Sequence, residues 1–151
     1  MSGVDARGCS VSGAAPAAME AYERALAAFQ GWRSGADAQL ALALQDAPTF
    51  VMAHVLKAWL VLCSRDPQRA RSARPVLART AGLPANERER LHLAAIAAAL
   101  ADDYQRAKAR LGELLGLQPR DALALQVAHA FDHLTGDTAR MNDRVAAVLP
   151  A

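Results

Sequence analysis

An aspartate-centred turn, Ala101-Asp102-Asp103, returns as Thr135-Gly136-Asp137, 34 residues further along the chain. A turn signal recurring at such a period marks a stacked supersecondary unit, which cannot bury its apolar face alone and must pack against a copy of itself. Ser34-Gly35-Ala36-Asp37 and Ser64-Arg65-Asp66-Pro67 are turns of the same kind. Each sets an aspartate or its equivalent just before a new apolar pattern, where the first N–H groups of a helix need acceptors. Between the turns stand Pro48, Pro84, Pro119 and Pro150, which interrupt helices. Turn and proline alternate four times and predict eight helices in four hairpins, at about 19–34, 37–46, 50–63, 66–81, 87–101, 103–116, 121–135 and 137–148.

The spacing of apolar residues agrees. Tyr22, Ala25, Leu26 and Phe29 share one helical face, as do Ala107, Leu111, Leu114 and Leu115, and again Leu123, Val127, Ala130, Phe131 and Leu134. With 37 alanines and 20 leucines against 14 valine, isoleucine and threonine residues together, the composition favours helix over strand throughout. The expected class is all-α, in one domain of ordinary size for 151 residues. The most apolar run, APTFVMAHVLKAWLVLC at 47–63, is short of the ~20 apolar residues that a bilayer span requires, and it carries His54 and Lys57. It reads as a central core helix, and no membrane partner is expected.

Residues 1–18, MSGVDARGCSVSGAAPAA, lack the continuous apolar segment of a secretory signal and read as a disordered tail, leaving 19–149 as the helical domain. Cys9 and Cys63 make no CxxC or disulfide framework, so a reducing, cytoplasmic setting is expected. Arg65, Arg69, Arg71, Arg74 and Arg79, with Arg88 and Arg90 beyond, are the densest basic segment. The net charge is only +2 and no aromatic side chains interleave with these arginines, which favours a solvated face over a nucleic-acid surface.

ALADDYQRAKARLGELLGLQPRD, residues 99–121, resembles the second half of a tetratricopeptide repeat at the Asp103-Tyr104 turn, Ala107, Leu111, Leu115, Leu117 and Pro119. Leu91 stands where that repeat usually has tryptophan and Ala98 where it often has tyrosine, so the repeats are degenerate. Residues 22–62 together with 120–150 are similar to the N-terminal part of the tetratricopeptide repeat protein 38-like family, whose members are longer than this chain. The resemblance implies an α-solenoid of about four helical hairpins and a protein-binding scaffold. It transfers no activity to particular residues.

On that expectation the first helix of each hairpin lines a concave face, where His54, Lys57, His92, Gln126, His129 and His133 form a polar stripe for a peptide or helix of a partner protein. His129 and His133 stand four apart, a spacing at which two imidazoles can reach one metal, but no glutamate or third ligand accompanies them. A metal-assisted enzyme using His54, His129 and His133 is therefore the alternative. No catalytic residue, cofactor or metal is assigned. The final helix sets Met141, Val145, Val148 and Leu149 on one side, for packing backward, and Ala139, Ala146 and Ala147 on another. That second side suggests a homodimer or a C-terminal continuation.

Overall fold

The computed structural model describes residues 2–150. Two short strands, β1 (Ser2–Val4) and β2 (Ser10–Ser12), precede nine helices among the described residues. These are α1 (Pro16–Gln30), α2 (Ala36–Asp46), α3 (Val51–Leu62), α4 (Pro67–Arg71), α5 (Ala73–Thr80), α6 (Glu87–Leu100), α7 (Tyr104–Leu117), α8 (Ala122–Leu134) and α9 (Thr138–Val148). The chain is thus overwhelmingly helical. Adjacent helices pair as α1 with α2, α3 with α5, α6 with α7 and α8 with α9.

Three of the four expected turns are capped by their aspartate; in the fourth, Gly35 in the left-handed conformation starts α2 without a side-chain cap, and Asp37 lies inside the first turn. Asp66, Asp103, Asp121 and Asp137 each cap a helix, accepting from Gln68, Arg106, Ala124 and Arg140 backbone N–H respectively. Asn86 and Glu89 close a reciprocal capping box at the start of α6. The single helix expected over 66–81 is broken into α4 and α5. Pro75 has no N–H to give the Arg71 carbonyl and its ring crowds that carbonyl, so α4 ends at Arg71.

α3 is the central helix, with nine of its twelve residues buried. It packs on α1, α2, α4, α5 and α6, and its Trp59 ring meets Phe131 of α8 edge-on at 5.8 Å between centroids. Trp59, Tyr22 and Phe50 are fully buried, each contributing about 2 kcal/mol by removal from water. Ala53, Ala95, Ala107, Ala124 and Ala128 have no exposed surface and let the helix axes approach closely. α1 also touches α8, although two hairpins separate them in the chain. The four leading helices α1, α3, α6 and α8 therefore enclose a shared interior.

The N-terminal residues depart from the expected disordered tail. β1 and β2 pair antiparallel with Ser2 opposite Ser12, Gly3 opposite Val11 and Val4 opposite Ser10, and Cys9 and Val11 are buried. The connecting turn is held by Asp5, whose Oδ1 accepts from the N–H groups of Arg7 (2.9 Å) and Cys9 (3.0 Å). The hairpin is anchored mostly through polar groups, which is why its hydropathy conceals it. The last helix also departs from expectation. Val145 and Leu149 stay exposed, and the one buried residue of α9 is Arg144. No helix among the described residues is long and apolar enough to cross a membrane.

Candidate functional site

α3 presents two unlike faces. Trp59 follows His54 by five residues, placing it roughly 140° around a helix that turns 100° per residue, so the two cannot serve one site. On the His54 side, α2, the loop after it, α3 and α5 frame a groove of 470 Å³ lined by Ala41, Leu44, Gln45, Pro48, His54, Lys57 and Arg79. His54 Nε2 lies 2.8 Å from the Pro48 carbonyl oxygen and donates to it, fixing the corner between α2 and α3. Burial pushes the His54 imidazole below its ordinary pKa; the bond to Pro48 opposes that shift, and the charges of Lys57 and Arg79 add to it. Neither Lys57 nor Arg79 forms an ion pair among the described residues. The nearby Asp46 carboxylate is engaged with the N–H of Ala18 in α1, at 3.1 Å.

On the other side the interior holds a charged network. Arg88 Nε donates to Asp121 Oδ2 at 2.6 Å, and its Nη2 stands 3.1 Å from Asp5 Oδ2 in an ion contact. Trp59 Nε1–H donates to His92 Nδ1 at 3.1 Å. Since indole nitrogen can only donate, His92 carries its proton on Nε2 and donates it to Asp121 Oδ2, also at 3.1 Å. Burial alone would raise the Asp121 carboxyl, but His92 and Arg88 outweigh it and hold the group well below the usual carboxylate range. Asp5, Arg88, Glu89, His92 and Asp121 are all buried. The arrangement joins the N-terminal hairpin, α3, α6 and the start of α8, and both nitrogens of His92 are occupied in doing so.

The six residues expected on one concave stripe are dispersed. His54 and Lys57 line the groove, whereas His92 is 0% exposed inside the molecule. That burial overturns its expected place on a binding surface, because α1, α3, α6 and α8 close around it. Gln126, His129 and His133 follow one flank of α8, with Gln126 and His129 half-buried and His133 exposed. His54 is not brought to that flank, and no group of three or more His, Cys, Asp or Glu side chains able to hold a metal occurs among the described residues. Arg88, expected within a solvated basic face, is instead buried at 4% exposure.

Gln45, Leu44 and Arg79 belong to the groove and were not singled out as site residues by sequence, since they come together only through the packing of α2 against α3 and of α3 against α5. A larger groove of 530 Å³ lies between α5 and α6. Its lining is almost wholly alanine and leucine, and its Arg74 donates to the Leu100 carbonyl at 3.3 Å, which leaves few free polar groups to orient a ligand. No protein family model matches the chain, and no solved structure matches it.

Proposed function

We propose that this chain is a protein-interaction module, a set of tetratricopeptide-like helical hairpins that takes a peptide segment of a partner protein. The reading of the hairpins as such repeats rests on the 34-residue return of the turn and on the pairing of consecutive helices. The seat proposed for the partner is the groove between α2, α3 and α5, rather than an open concave face, since the leading helices fill that interior themselves. A single observation carries this choice. Lys57 and Arg79 stand beside the apolar Ala41, Leu44 and Pro48 and form no ion pair among the described residues, whereas the buried charges of the interior have their partners. A recognition site needs that combination, with apolar area for affinity and unengaged polar groups for orientation.

Selection of a random displayed-peptide library on the protein tests it. Enriched peptides should lose roughly tenfold or more in affinity on Leu44→Arg, which obstructs the lining, and should be unaffected by Trp32→Ala on the far loop. Leu44 is only half-buried, so the variant is expected to keep its helical circular dichroism. If no selected peptide depends on Leu44, the groove is not the seat.

A further inference from the structure

The groove's chemistry narrows what can occupy it, and this step rests on the peptide-binding reading above. We infer that the partner segment is acidic, with a carboxylate held by Lys57 and Arg79 and a neighbouring apolar side chain seated on Leu44 and Pro48.

The charge of the lining supports this occupant. The lining contains two cationic groups and no carboxylate, so a peptide carboxylate supplies the charge that the fold leaves uncompensated.

Nucleic acid is a poorer fit. Its affinity draws on base stacking, and the lining has no Phe, Tyr or Trp, while its one ring, His54, is tied to the Pro48 carbonyl. The apolar part of the lining would lie unused against a phosphate backbone. Gln45 provides both a donor and an acceptor for the main chain of a peptide.

The test uses the whole chain and three probes, a short peptide of alternating glutamate and leucine, the same peptide with glutamine for glutamate, and oligouridylate. Binding is followed through backbone amide resonances. The acidic peptide should shift Leu44, Gln45 and Lys57, bind roughly tenfold tighter than its glutamine counterpart, and weaken as salt is raised. The His54 titration midpoint should move upward in the complex, because a bound carboxylate offsets Lys57 and Arg79. Lys57→Gln with Arg79→Gln should erase the preference for glutamate while preserving weak binding of the glutamine peptide. Equal affinity for the two peptides in the unmodified protein, or tighter binding of oligouridylate, overturns the acidic assignment. A groove that responds to neither peptide, together with a Leu44→Arg variant that is silent in library selection, overturns the peptide-binding reading itself.

Discussion

Gly13 has φ +74, and a Cβ placed on it would stand 2.1 Å from the Thr49 carbonyl oxygen. A side chain there meets two penalties, the left-handed backbone and a collision with main chain that cannot swing aside. Gly13→Ala is expected to destabilise by at least about 2 kcal/mol, read as a lower urea midpoint. Gly35→Ala, where φ is +98 but nothing lies within 4 Å, should cost less. Residues acting through their immediate neighbours were legible in the sequence, as the capping aspartates at 66, 103 and 137 show. Residues acting across the fold were not. Arg88 meets an aspartate 33 positions away, and only tertiary structure places it there. A signal was nevertheless present, because the buried stripe of α6 through His92, Ala95, Ile96 and Ala99 extends back one turn to Arg88. A cation on the core stripe calls for a buried partner.

Among the elements, α3 and most of the other helices followed from periodicity and turn residues, whereas the extent of α1, the break between α4 and α5, and the strands β1 and β2 did not. Three-residue strands carry too little alternation to register, and this hairpin is held chiefly by side chains of α1 and α6. Glu23 receives two bonds from Arg7, Asn86 and Arg88 donate to the Ser10 carbonyl, and Glu89 accepts from the Ser12 N–H at 2.7 Å. α9 depends on comparable chemistry. Its guanidinium, Arg144, pairs through two nitrogens with the buried Asp132, which Lys108 of α7 also approaches at 3.6 Å. With Val145 and Leu149 exposed, this pair is the principal buried attachment of the helix. Arg144→Leu should strand a buried carboxylate at a cost of about 3 kcal/mol. Hydrogen exchange should accelerate across 138–148 while α3 keeps its protection; unchanged exchange in α9 would show that Met141 and Val148 suffice to hold it.

At the scale of the molecule, the Asp121 network joins segments that lie far apart in the chain. His92 reaches Asp121 across 29 residues, Trp59 reaches His92 across 33, and Arg88 brings in Asp5 from the N-terminal hairpin. The folded Asp121 carboxyl titrates below its ordinary value, which is about 3.9 in an unfolded chain. Its stabilising contribution is therefore complete above about pH 4 and is lost as the pH falls from there through the folded value. Asp121→Asn separates charge from cap, since an asparagine oxygen can still accept from the Ala124 N–H while Arg88 loses its closest counter-charge. That variant should be about 3 kcal/mol less stable at pH 7. The difference should shrink as the pH is lowered below 4, where the carboxyl of the unfolded chain takes up a proton while the folded one is still ionised. Urea unfolding of both proteins at pH 7, 4 and 2.5 measures it. A gap that stays constant with pH would mean that Asp121 supports the fold through its hydrogen bonds alone, and that its charge does not help to hold the hairpin, α3, α6 and α8 together.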